Sequence, residues 1–141
     1  MRIAVVDGQG GGIGKTLVER LRLTFGEHLR ILALGTNAMA TSVMLKAGAN
    51  EGASGENAIL CNVSKVDLIL GSIGILAADS MLGELTEGMA AAIARSPATK
   101  ILIPLNRCNL HVAGTRNDPL PHSIDEAMKL VCSYREDHEN V

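Results

Sequence analysis

Aromatic residues are almost missing from this chain: one Phe, one Tyr and no Trp in 141 residues. A core must therefore come from Leu, Ile, Val, Ala and Met, and there are no stacking platforms for bases. The net charge is −2 with no Lys or Arg cluster, so nucleic acid is not an expected partner. No apolar run approaches the roughly 20 residues a membrane-spanning helix needs. Cysteine is scarce too. Cys61, Cys108 and Cys132 are odd in number and far apart, which fits reduced thiols in a cytoplasm rather than a disulfide framework. The four histidines show no metal-ligand spacing with cysteines or acids, so no metal site is predicted. A strand pattern begins at once, without a signal-peptide layout. The expectation is one cytoplasmic domain over residues 1–135, with 136–141 as a charged flexible tail.

What is abundant is glycine, in one place. Five glycines fall within residues 8–14, in Asp7-Gly8-Gln9-Gly10-Gly11-Gly12-Ile13-Gly14-Lys15-Thr16. The apolar Ile3-Ala4-Val5-Val6 precedes them and Leu17-Val18-Glu19-Arg20-Leu21 follows. This reads as a buried strand, a glycine turn and a helix. Such a turn brings backbone close to a ligand, and the free N–H groups of the next helix attract an anion there. A nucleotide phosphate is the expected occupant.

Along the chain, strands are expected at 2–7, 29–34, 49–53, 67–70 and 100–105. Helices are expected at 15–25, 38–47, 54–65, 87–95 and 124–134, with Asn37, Thr86 and Ser123 as caps. A further short extended run is read at 110–113. Alternation at this spacing predicts an α/β fold: one doubly wound parallel sheet, Rossmann-like, ordered 3-2-1-4-5, with helices on both faces. Its ligand edge would collect the turns 8–14, 35–37, 54–57, 71–74 and 106–109. The candidate contacts there are Gly8, Gln9, Gly10, Gly11, Gly12, Ile13, Gly14, Thr36, Asn37, Glu56, Asn57, Gly71, Ser72 and Asn106.

Three phosphate-loop patterns compete. G-x-G-x-x-G fails at Ile13. The G-x-x-x-G-x-G of short-chain dehydrogenases is met by Gly8, Gly12 and Gly14. The P-loop ending is met by Gly14-Lys15-Thr16, but its first glycine falls on Gln9. A P-loop also needs an acid after an apolar strand to hold magnesium, and none is evident. The Rossmann-type loop is therefore preferred, with NAD or NADP as possible cofactors and other nucleotides open. The Tyr-x-x-x-Lys pair of the dehydrogenases is missing, because Tyr134 is followed at that spacing by His138. The acid that grips an adenosine ribose after the second strand is missing too, since Gly35-Thr36-Asn37 stands there. Nor does an arginine stand there for a 2′-phosphate.

The strings Val5-Val6-Asp7-Gly8-Gln9-Gly10-Gly11-Gly12-Ile13-Gly14, Ala33-Leu34-Gly35-Thr36-Asn37-Ala38, Gly55-Glu56-Asn57-Ala58 and Pro104-Leu105-Asn106-Arg107-Cys108-Asn109 together resemble a family of short uncharacterised bacterial proteins. That family is a domain of unknown function found mostly in anaerobic Firmicutes. The resemblance covers about the first 115 residues. It implies a Rossmann-like domain and brings no activity with it.

Remaining residues have ordinary readings beside functional ones. Arg107 is a candidate for phosphate pairing and Cys108 for a nucleophile, against a salt bridge and a small buried filler. Glu56, Asn57 and Asn37 read as ribose contacts or as helix caps. Asp7 reads as a ligand to a hydroxyl or metal, or as a brace for the turn. Cys61, Cys132 and Met39, Met44, Met81, Met89 and Met128 read as core. The leading expectation is a nucleotide-binding sensor or subunit module. An NAD(P)-dependent oxidoreductase or transferase completed by a partner chain is the second reading, and a degenerate P-loop NTPase using Lys15 and Thr16 the third. The apolar fourth helix suggests a possible homodimer.

Overall fold

The computed structural model describes residues 1–105, 109–116 and 118–139. Five strands, β1 (Arg2–Asp7), β2 (Arg30–Gly35), β3 (Glu51–Ser54), β4 (Leu68–Ser72) and β5 (Thr99–Ile103), pair in parallel in the order 3-2-1-4-5. The expected topology is the observed one. Among the described residues, five α-helices, α1 (Gly12–Phe25), α2 (Ala38–Ala47), α3 (Glu56–Asn62), α4 (Glu87–Arg95) and α5 (Leu120–Glu139), accompany them.

Both faces of the sheet are covered at its centre, so β1, β2 and β4 carry continuous buried runs rather than alternation, while the edge strand β3 is largely exposed. In β1 successive side chains go to opposite sides. Ile3 and Val5 pack with Leu17, Val18, Leu21 and Met44, and with Ile124 and Val131 of α5. Ala4 and Val6 pack with Ile59, Ile69, Met89 and Ile93 under α3 and α4. Chain direction explains the division. The connections from β1 to β3 step one way along the sheet and those from β3 to β5 step back, so right-handed crossovers place their helices on opposite faces. The reversal lies between β1 and β4, which pair with Ile3 opposite Leu68 and Val5 opposite Leu70.

Helix ends follow local chemistry. Asn37 caps α2 by accepting the Ala40 N–H at 2.8 Å, and Thr86 caps α4 by accepting that of Met89 at 3.1 Å. Gly26 and Gly48 close α1 and α2 at φ 71° and 126°, a region open chiefly to glycine. The Arg22 guanidinium then ties these ends together through the carbonyls of Gly48, Gly26 and Leu29.

Several expectations are corrected. The first helix opens at Gly12 rather than Lys15, with Gly11 in the left-handed region as its cap. The last helix begins at Leu120, so Ser123 lies within it and is not its cap. Pro121 misled the reading, yet a first-turn residue needs no N–H partner and proline suits that turn. The same helix continues past Tyr134 to Glu139, where Arg135 pairs with Glu139 at 3.0 Å and stacks over Phe25. Residues 110–113 form no strand. Cys61 and Met39 are exposed rather than core, because α3 buries Ile59 and α2 buries Ala40, Thr41 and Met44 instead. The apolar Met89, Ala90 and Ile93 of α4, which suggested a homodimer, are buried in the core.

Gly71 is fixed by the sheet itself, since a Cβ there would lie 2.7 Å from the Val6 carbonyl oxygen. We predict that Gly71→Ala destabilises the fold by about 1–3 kcal/mol, read from the denaturant midpoint. An unchanged midpoint would contradict the close approach of β1 and β4.

Candidate functional site

The carboxyl ends of β1 and β4 part at the reversal of strand order, where ligands bind in open α/β sheets. A cleft of about 480 Å³ lies there. Its floor is Asp7 and the glycine turn Gly8–Ile13; its far wall is Ser72, Gly74 and Ser80, and Met81, Leu105 and Leu120 line it with apolar surface. The early start of α5 is what brings Leu120 to this cleft.

Asp7 organises the floor. It is buried, and its Oδ1 accepts the Gly8 N–H at 2.8 Å while Oδ2 accepts the Gly14 N–H at 2.7 Å. One carboxylate thus joins the two ends of the loop and sits against the positive end of α1. Gly11 closes the turn inside, donating to the Gly8 carbonyl at 3.0 Å with φ 73°. Gly14 lets α1 lie on β1, because a Cβ there would meet the Asp7 Cβ at 3.0 Å and the Met44 sulfur at 2.5 Å. Of the two readings of Asp7, the brace is the observed one.

Gly10 and Gly12 are different. A Cβ at either would meet nothing within 4 Å, and neither has a positive φ. Among the described residues, hydrogen bonds take the N–H groups of Gly8, Gln9, Gly11 and Gly14 and leave those of Gly10, Gly12 and Ile13 without a protein acceptor.

Above the β2 side of the loop stands Glu84, which the sequence reading missed. Its Oε1 accepts the Gln9 N–H at 2.9 Å, the Thr36 hydroxyl at 2.7 Å and the Asn37 amide at 2.7 Å. Asn37 also donates to the Gln9 carbonyl at 3.0 Å. The Gln9 N–H foremost, then Thr36 and Asn37, hold the Glu84 carboxyl below its usual range, against a smaller opposing effect of burial. Nothing in the spacing around Glu84 marks it; only Gly83 signals the turn that aims it.

The other candidates divide. Asn37 reaches the loop directly at the Gln9 carbonyl, and both Thr36 and Asn37 are joined to it through Glu84. Ser72 lines the cleft, whereas Gly71 is packed beneath it. Glu56 turns away to accept the Thr86 hydroxyl at 2.9 Å, and Asn57 is exposed on α3. Lys15 is exposed and points along α1 to Glu19 at 4.0 Å, and Thr16 donates to the Gly12 carbonyl at 3.0 Å. Asn106, Arg107 and Cys108 lie outside the described residues. Among the described residues, no three His, Cys, Asp or Glu side chains gather as a metal site, and no helix is long and apolar enough to cross a membrane.

Residues 2–136 match the family described as a domain of unknown function (DUF3842), and the chain belongs to that family. No curated protein matches it.

Two predictions follow from this geometry. Asp7→Asn turns an amide donor toward one of the two loop N–H groups and should cost about 1.5–3 kcal/mol in denaturant unfolding; a neutral effect would remove the clamp. Glu84 has a lowered folded-state pKa, so its contribution is present above the ordinary carboxylate range and is lost as pH falls through the folded value. The stability gap between the native chain and Glu84→Gln should therefore shrink on acidification. A gap that widens at low pH would contradict the three donors on Oε1.

Proposed function

We propose that this chain binds a nucleotide or dinucleotide with its phosphates on the Gly8–Gly14 loop, as a sensor or subunit module. The observation that carries the reading is the contrast among the glycines. Gly8, Gly11 and Gly14 are explained by the fold: a Cβ would strike Thr36 and Met81, Ala40, or Asp7 and Met44 respectively. Gly10 and Gly12 have no such neighbour. Something approaching from the cleft accounts for them, and the N–H groups of Gly10, Gly12 and Ile13 suit an anion at a helix N-terminus. The cleft volume falls within the usual range for small-molecule sites, roughly 300–1,000 Å³.

Lys15 and Thr16 are turned away from the cleft, which favours binding through backbone N–H groups over a P-loop. NAD or NADP would place its pyrophosphate on this floor, and a mononucleotide would use the same floor.

A thermal-shift screen against NAD, NADH, NADP, ATP, GTP, AMP and S-adenosylmethionine, with and without magnesium, tests the reading. A bound ligand at a hundred times its Kd adds about 2.7 kcal/mol. The double variant Gly10→Ala/Gly12→Ala should keep its stability within about 1 kcal/mol and lose about tenfold or more in affinity. Lys15→Ala should bind as the native chain does. Magnesium-dependent stabilisation by ATP that Lys15→Ala abolishes would reverse the assignment in favour of the P-loop, and no shift with any nucleotide would refute it.

A further inference from the structure

Resting on that reading, we infer that Glu84 supplies, from the segment between β4 and α4, the ribose-reading carboxylate that is missing after β2, so that the site selects a nucleotide with an unmodified ribose diol over one carrying a 2′-phosphate. In dinucleotide-binding sheets an acid at the end of the second strand accepts the ribose hydroxyls. Here Gly35-Thr36-Asn37 occupies that end. The Glu84 carboxylate stands on it: Oε1 touches the Thr36 hydroxyl, the Asn37 amide and the Gln9 N–H of the glycine loop, at 2.7, 2.7 and 2.9 Å. An acid has been put back in space where the sequence lacks one.

All three of these donors converge on Oε1. Among the described residues, Oε2 takes no hydrogen bond and Glu84 joins no ion pair. A carboxylate oxygen with both lone pairs open is an acceptor for two hydroxyl donors. Among the described residues its charge is met by neutral dipoles, so a 2′-phosphate placed beside it would meet repulsion.

The backbone that delivers Glu84 is costly. Asp79, Met81 and Leu82 all have positive φ, at 65°, 58° and 56°, and Gln9 opposite them has φ 49°. Left-handed backbone costs about 1–2 kcal/mol per ordinary residue. The turn is nonetheless fixed, by the Asp79 N–H on the Leu85 carbonyl, by Ser80 Oγ on the Gly74 carbonyl at 2.6 Å, and by the fully buried Leu85. Leu82 at its tip is 96 % exposed. Besides burying Leu85, Ser80 and part of Met81, the turn places Met81 against Gly8 and Glu84 against Gln9.

Calorimetric titration with ADP-ribose, its 2′-deoxy form and its 2′-phosphate tests the inference on the native chain without any variant. ADP-ribose should bind about tenfold or more tightly than either analogue. Glu84→Gln, which keeps an acceptor for the three donors, should lose about tenfold for ADP-ribose and bring the 2′-phosphate level with it. If the native chain binds all three ligands equally and Glu84→Gln changes nothing, the inference fails while the phosphate loop stands. Tighter binding by Glu84→Gln would overturn it as well, marking the carboxylate as an occupant that ligand must displace. Binding of none of the three would overturn the inference and leave the phosphate-loop reading to the nucleotide screen.

Discussion

Everything at the site depends on the two hydrogen bonds that Asp7 receives from Gly8 and Gly14. A carboxylate buried at the end of a central strand is stable only with donors on both oxygens, and the loop supplies them at its first and last residues. That requirement folds residues 8–14 into a closed turn and starts α1 at Gly12. It also decides which N–H groups are consumed by the fold and which face the cleft. The cleft then follows from topology, because β1 and β4 are where the winding reverses.

Glu84 plays the matching part on the β2 side. Asp7 holds the loop from beneath; Glu84 holds Gln9 from above and ties it to Thr36 and Asn37. The two carboxylates are reached from opposite ends of the chain's logic. One is next to the glycines in sequence, while the other is brought there by a strained turn rooted in the core at Leu85.

The fold was legible because its signals are periodic and local. Apolar runs marked the strands, and Asn37 and Thr86 marked helix starts through their own side-chain bonds. The reading failed where two signals competed. Pro121 read as loop, although proline is at home in a first helical turn, and the charged segment after Tyr134 read as tail, although Arg135 pairs with Glu139. At the site, the glycine loop and the missing acid after β2 could both be read. Glu84 could not, since its role is set by three contacts spanning 75, 48 and 47 positions. Glu56 is a mixed case: its place in the first turn of α3 could be read, whereas its bond to Thr86, 30 positions away, could not.

The central claim is that backbone N–H groups of the glycine turn receive phosphate. An amide NMR titration with ADP-ribose reads those groups one by one. The account predicts large shifts at Gly10, Gly12 and Ile13, with smaller ones at Gly8 and Gly14, whose N–H groups Asp7 already holds. Shifts confined to residues outside the loop, with Gly10, Gly12 and Ile13 unmoved at saturation, would contradict it.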